Sequence, residues 1–224
     1  IEKYKNTNIV NIYNYLDIKL ESRKYNLDGK LIAKNLYYPD RKLKQTAEYK
    51  EGTVYTVTYH NNGLIDVFSK VDENTDYGKF YVYDRAGNIK EEYQGWIGKK
   101  HGACSTYSPN GQVKVSCNYR DDVLDGEYLA YYRTNKLKIR ANYINGKLSG
   151  NYLLFGENGF VKMSAKYLNG KLDGAVYYYN NKGELLYTKT YSTGNLLSKT
   201  DTYVPSKRRR VTINGTDQSG LPVF

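Results

Sequence analysis

A glycine recurs at a fixed interval of 24 residues through much of this chain, at Gly78, Gly102, Gly126, Gly150 and Gly174. A period of that length means one small supersecondary unit stacked in tandem, each copy burying its apolar face only against its neighbours. We count units from positions 54, 78, 102, 126, 150 and 174, with the first residue of each as position 0. Position 5 is then always aromatic (Tyr59, Tyr83, Tyr107, Tyr131, Phe155, Tyr179). Position 9 is always Gly or Asn (Gly63, Gly87, Gly111, Asn135, Gly159, Gly183) and position 11 is aliphatic (Ile65, Ile89, Val113, Leu137, Val161, Leu185). Position 17 is Tyr in the last four units, at Tyr119, Tyr143, Tyr167 and Tyr191.

Each unit reads as two strands and two turns. Along the second strand the odd positions are apolar and the even ones polar: Leu137, Ile139, Ala141 and Tyr143 against Lys138, Arg140 and Asn142. An alternation of period two is a half-buried antiparallel strand. The fold class expected is therefore all-β, an elongated, twisted antiparallel sheet of tandem β-hairpin repeats. Six units of two strands at about 4.8 Å spacing make a sheet on the order of 60 Å long.

The first turn has a definite type. In Ser108-Pro109-Asn110-Gly111, Pro presets the first corner of a type I turn, Asn suits the second, and position 9 takes the left-handed conformation of a G1 bulge. This predicts that position 5 faces position 11 and position 3 faces position 13. Cys104 and Cys117, at positions 2 and 15, then fall on opposite faces and stay free thiols. The second turn lies in Tyr143-Ile144-Asn145-Gly146-Lys147-Leu148-Ser149-Gly150 and its copy from Tyr167 to Gly174. Gly146 and Gly170 reverse the chain there and Leu148 makes an apolar contact. Gly150 opens the next strand where a side chain would strike the preceding hairpin. Gly78, Gly102, Gly126 and Gly174 are assigned the same architectural role. The unit from Gly78 departs at Gly95-Trp96-Ile97-Gly98, where Trp96 is read as a gap-filling core residue, with a bulge or a bound surface as the alternative.

Three segments follow. Residues 1–53 echo the repeat faintly, through Gly29-Lys30-Leu31 and then Tyr37, Leu43 and Tyr49, as degenerate N-terminal repeats or a cap. Residues 54–197 hold the six regular units. Residues 198–224 form a C-terminal cap and a basic tail containing Lys207-Arg208-Arg209-Arg210.

Charge narrows the partners. A formal net charge of +11 favours acidic ones, and 27 Tyr against 5 Phe suits broad, half-wet sheet surface rather than one thick dry core. Two Cys give neither a disulfide framework nor zinc spacing. His60 and His101 stand at different positions of different units as turn residues, and no nucleophile elbow, metal cluster or phosphate loop is present, so no enzyme, cofactor, metal or small-molecule substrate is expected. The binding candidates are a basic stripe of Lys114, Lys138, Arg140, Lys162 and Lys166, with Phe80, Tyr128, Tyr132, Tyr152 and Tyr178 expected on that same sheet face. Such a face suits a protein partner first. The alternative is an anionic lipid surface or an acidic cell-envelope polymer, and nucleic acid is not expected. The chain opens at Ile1, and partners of this kind lead to the expectation of a secreted or envelope-exposed bacterial protein, with the cytoplasm as alternative.

The unit Gly126-Glu127-Tyr128, Tyr131-Tyr132, Asn135-Lys136-Leu137, Tyr143-Ile144-Asn145-Gly146-Lys147-Leu148-Ser149-Gly150 resembles the MORN repeat, in its longer bacterial variant. The likeness covers residues 54–197 well and 9–53 poorly. It implies a binding or scaffolding module; some such proteins are linked to phospholipids and some bacterial members are labelled antitoxins. No counterpart of the lipid-kinase and methyltransferase domains that accompany these repeats elsewhere is expected among these residues.

Overall fold

The computed structural model describes residues 7–201, which form eighteen strands of one sheet. They are β1 (Asn8–Tyr13), β2 (Lys19–Tyr25), β3 (Leu31–Tyr37), β4 (Leu43–Lys50), β5 (Thr53–Tyr59), β6 (Ile65–Asp72), β7 (Tyr77–Tyr83), β8 (Ile89–Trp96) and β9 (Lys99–Tyr107). There follow β10 (Val113–Arg120), β11 (Val123–Tyr131), β12 (Leu137–Ile144), β13 (Lys147–Phe155), β14 (Val161–Leu168), β15 (Lys171–Leu172), β16 (Gly174–Tyr179), β17 (Leu185–Ser192) and β18 (Asn195–Asp201). Each pairs antiparallel with the next, and β15 and β16 together take the place of one strand beside β14. The all-antiparallel sheet is elongated and does not close into a barrel. The N-terminal segment continues it, since β1 to β4 pair in sequence and β4 joins β5. Strand β18 runs on past Leu197, paired with β17. The 207–210 basic cluster lies outside the described residues.

Both turn types follow from local chemistry. In the first, the position-9 residue is left-handed throughout, from φ 60° at Asn135 to 88° at Gly87. Gly111 N–H donates to Ser108 O at 2.8 Å and Ser108 N–H to Gln112 O at 2.8 Å, the two bonds of a type I turn closed by a G1 bulge. In the second, two consecutive residues have positive φ, as at Asn145 (49°) and Gly146 (76°), the signature of a type I′ hairpin. These second turns are stitched together, because Gly146 N–H donates to Leu124 O and Gly170 N–H to Leu148 O, each at 2.8 Å.

The register differs from the expectation at one point per unit. Tyr131 does face Leu137, but Ala130, not Leu129, faces Ile139, because Lys138 is an extra, bulged residue. One unpaired residue inverts which first-strand side chains share a face with which second-strand ones. Positions 2 and 15 therefore lie on one face, in a row of direct cross-strand partners: Ala47, Thr56, Ser69, Phe80, Tyr93, Cys104, Cys117, Tyr128, Ala141, Tyr152, Ala165. This row is the core. It contains Ala47, Ser69, Phe80, both cysteines, Ala141 and Ala165 among the buried residues, and Val176 at the equivalent position is fully buried. A single-layer sheet achieves this by setting small residues between large rings, as Ala141 sits between Tyr128 and Tyr152. Cys104 and Cys117 are free, as expected, but the reason is corrected: they face each other on one face.

A second bulge explains the period's glycine. Ala141 faces Tyr152 while Tyr143 faces Leu148, so Ser149-Gly150-Asn151 lies against Asn142 alone. Gly150 takes φ 86° in that bulge, and a Cβ there would meet nothing within 4 Å. The expected clash with the preceding hairpin does not exist at Gly150 or Gly174; the left-handed backbone is what selects glycine there. Crowding holds at Gly78, where a Cβ would lie 2.1 Å from the backbone oxygen of Lys70, and at Gly102, where it would meet the Gln94 and Tyr77 side chains at 2.9 and 3.1 Å.

Candidate interaction surface

The register decides where the candidate residues go. The bulged lysines turn toward the first-turn edge of the sheet. Lys138 Nζ lies 5.5 Å over the Tyr132 ring, as Lys44 lies 5.8 Å over Tyr38. Lys162 Cε occupies the matching place beside Gly156. Successive turns are tied along this edge. Tyr132 donates its hydroxyl to Phe155 O at 2.7 Å, Lys136 Nζ donates to Glu157 O at 2.7 Å, and Asn158 Nδ2 donates to Asn181 O at 2.7 Å. Between two turns opens a cleft of about 410 Å³ lined by Ser108, Pro109, Asn110, Gln112, Lys114, Tyr131, Tyr132 and Arg133. Lys114, Tyr132, Lys138 and Lys162 thus come together on one edge, with Arg133 and Lys136 added by the structure.

The other candidates separate. Phe80, Tyr128, Tyr152 and Tyr178 lie on the core face, correcting the expectation that they share a surface with the lysines. Phe80 is 5% exposed and stacks on Tyr93 with ring centroids 4.8 Å apart. Tyr128 and Tyr152 pack edge-on against Tyr143 and Tyr167, and burial pushes both phenols above their usual range. Tyr178 stacks on Tyr187 at 4.5 Å, and burial raises its phenol also. Arg140 and Lys166 stay exposed on the opposite face, where Arg140 Nε donates to Glu127 at 2.8 Å.

Among the described residues, Lys114, Arg133, Lys136, Lys138 and Lys162 form no ion pair and cluster on the edge from 108 to 162. Lys70, Arg85, Lys147 and Lys166 are also without one, while Lys79–Glu92, Lys99–Asp121 and Arg120–Asp125 are matched. Both histidines make structural contacts; His60 lies just before a first turn, whereas His101, expected in a turn, stands within β9. His60 Nε2 lies 3.4 Å from Tyr83 O and 3.5 Å from Asp66, bridging adjacent units. His101 packs on Trp96 at 4.7 Å. Trp96 in turn meets Tyr77 edge-on at 5.4 Å, while Gly95 at position 17 sits where a Cβ would lie 2.0 Å from Lys99 O.

One cluster escaped the residue-type reading. Glu91 and Lys100 are paired on the core face, and Cys104 Sγ donates to Glu91 Oε1 at 3.3 Å. Burial works against the Lys100 charge, yet the Glu91 carboxylate outweighs it and holds the ammonium pKa above its ordinary value. Comparing units would have found the pair, because position 13 is aliphatic at Val67, Val115 and Ile139, and position 22 is leucine at Leu124, Leu148 and Leu172. No group of three or more His, Cys, Asp or Glu able to hold a metal ion occurs among the described residues.

No curated protein matches the chain in sequence. A point mutant of the S. aureus protein TarM, in complex with Fondaparinux, alpha-GlcNAc-glycerol and UDP, aligns at 10% identity over 65% of this chain, with a TM-score of 0.26. This chain spans only 21% of that protein. The Photorhabdus luminescens Tc holotoxin pore aligns at 12% identity over 83% of this chain and 13% of its own, with a TM-score of 0.22. A porin-like protein from Bacteroides uniformis aligns at 11% identity over 87% and 93%, with a TM-score of 0.21. Likeness this low carries no argument about function. The repeat itself is assigned: residues 100–121 (β9–β10) and 124–145 (β11–β12) match the family model described as the MORN repeat variant. The chain is a repeat-built β-sheet scaffold in which two hairpins match the MORN repeat variant.

Proposed function

We propose that this scaffold binds an acidic segment of a protein partner along its first-turn edge, between Ser108 and Lys162. The observation that supports this reading is the row of cations without ion pairs, Lys114, Arg133, Lys136, Lys138 and Lys162, beside the Tyr131–Tyr132 cleft. Unneutralised cations along a rigid edge offer charge complementarity to an acidic chain, and aromatic walls add contact area at low entropic cost. Side-chain donors bonded to the carbonyls of the neighbouring turn keep the spacing of these charges fixed. An anionic lipid surface or acidic envelope polymer is the alternative reading for the same edge.

The test uses three probes on the full chain: a soluble polyglutamate, vesicles containing phosphatidylglycerol, and neutral phosphatidylcholine vesicles. The expected result is salt-sensitive binding of polyglutamate, weaker retention by anionic vesicles and none by neutral ones. It should be lost on joint reversal of Lys114, Lys138 and Lys162 to Glu. Binding to anionic vesicles without polyglutamate binding would move the reading to the lipid alternative. Binding of any probe at full strength by the reversed variant would remove the edge from the function.

A further inference from the structure

The core row changes character where β8, β9 and β10 meet. Position 13 and position 22, apolar in the following units, here carry Glu91 and Lys100, and the two side chains pair. Both are largely withdrawn from water, at 20% and 27% exposure, so the pair bears a desolvation cost that two aliphatic residues would not. The carboxylate has a second partner: Glu91 Oε1 accepts a hydrogen bond from Cys104 Sγ at 3.3 Å. Cys104 stands directly opposite Cys117, both thiols free and buried, at 3% and 6% exposure. Directly opposed residues in an antiparallel pair have Cα atoms about 4.5–5.5 Å apart, inside the range of about 4.4–6.8 Å that a disulfide spans. Lys100 Nζ completes the group, 5.3 Å from the Tyr93 ring and 5.3 Å from the Tyr119 ring.

We propose that Cys104 and Cys117 are a redox modification site, a dithiol that a hydroperoxide converts into a cross-strand disulfide, with Cys117 attacking, Cys104 resolving and Glu91 moving the proton. The surroundings divide the roles. The Cys104 thiol and then the Lys100 charge favour a thiolate at Cys117 against the effect of burial. The Cys117 sulfur, burial and Glu91 all oppose one at Cys104.

The chemistry balances in two steps. The Cys117 thiolate attacks one peroxide oxygen, the O–O bond breaks, and a sulfenic acid forms with release of hydroxide, which takes up the proton Cys117 gave. The Cys104 sulfur then attacks the Cys117 sulfur and the S–O bond breaks. The Cys104 proton passes through Glu91 to the departing hydroxide. Two thiols and one hydrogen peroxide become one disulfide and two waters. Hydrogen peroxide is small enough to reach thiols shielded to this degree, and the ladder requires no strand to move for the sulfurs to meet.

The experiment treats the folded full chain with hydrogen peroxide, then alkylates remaining thiols in denaturant and weighs the protein. The expected result is loss of both alkylation sites together with two hydrogens, a cross-linked peptide joining Cys104 to Cys117, and full reversal by dithiothreitol. Cys104→Ser, which keeps a hydroxyl donor toward Cys117, should stop at a sulfenic acid on Cys117, trapped by dimedone. Cys117→Ala should leave Cys104 unreacted over the same time. Alanine is the residue found at position 15 in Ala141 and Ala165, so the Cys117 variant keeps the fold. Glu91→Gln should slow disulfide closure several-fold while the dimedone-trappable intermediate accumulates, a pattern that simple loosening of the core would not produce. Retention of both alkylatable thiols in the treated wild type overturns the proposal, as does a link that appears only after denaturation. Equal reactivity of the two single variants overturns the division of roles.

Discussion

The Tyr132 hydroxyl donates to the carbonyl of Phe155 at 2.7 Å, joining two residues 23 apart in sequence but adjacent along one edge of the sheet. The same stitch recurs as Tyr38 to Tyr59 O at 3.0 Å. These bonds run between neighbouring hairpins and so act on the interface between repeats, the term that governs cooperativity in a one-dimensional array. Tyr132→Phe keeps the ring and removes only the donor. The Phe155 carbonyl lies at a partly wet edge where water can replace the lost partner, so the expected cost is about 1 kcal/mol. Urea unfolding checks this, together with faster amide exchange in the 156–160 turn.

The period's glycines should not respond alike. Gly150→Ala meets no atom within 4 Å but must hold φ 86°, and the expected cost is about 1–3 kcal/mol from backbone strain. Gly150→Asn should recover part of it, because Asn tolerates the left-handed region. Gly78→Ala has an ordinary φ but places Cβ 2.1 Å from Lys70 O and 2.6 Å from Val71 Cα, both backbone. Pushing β6 away from β7 should cost about 3 kcal/mol or more. Thermal melts of the three variants provide the ranking, and an equal loss at Gly150 and Gly78 would contradict it.

Ala141 offers a test of the core row. It is 3% exposed, with Tyr128 opposite on one side and Tyr152 on the other. Ala141→Leu inserts three carbons where two rings already converge, and the expected destabilisation is about 1–3 kcal/mol. Leu129→Ala, on the opposite and wetter face, removes a side chain that is only half-buried and should cost less. Urea midpoints measured side by side decide whether the register places the core on this face.

Those two tests bear on what a sequence can disclose. The turns were legible because position 9 admits only Gly or Asn, and that restriction is written in Gly111 and Asn135 as directly as in their φ angles. The alternation along β12 was legible for the same local reason. The bulge at Lys138 was not, since an unpaired residue leaves the alternation of its own strand intact and shows itself only against the partner strand. One such residue moved Tyr128 and Tyr152 from the expected binding face into the core and brought Cys104 opposite Cys117. The Glu91–Lys100 pair was legible in principle, through comparison of units rather than residue types. Its meaning required the distance to Cys104.

Acid should loosen the Asp-capped turns late. The Asp84 carboxylate accepts hydrogen bonds from the Asn88 and Ala86 N–H groups, each at 2.9 Å, and from the Asn88 side chain. These bonds, those from Asn88 foremost, hold its pKa below the ordinary aspartate value of 3.8. Asp72 is lowered in the same way by Thr75 and then Asn74. A depressed folded-state pKa means that the contribution to stability is complete above the unfolded value. It is lost as pH falls through the folded value, so these turns should loosen only below about pH 4. Asp84→Asn retains an oxygen acceptor without the titration. Carboxyl NMR titration should give Asp84 a midpoint under 3.8. Protection factors of the amides in the 84–88 turn, corrected for intrinsic exchange, should become independent of pH over that limb in Asp84→Asn. An Asp84 midpoint at or above the ordinary value would mean that the turn bonds do not persist in solution.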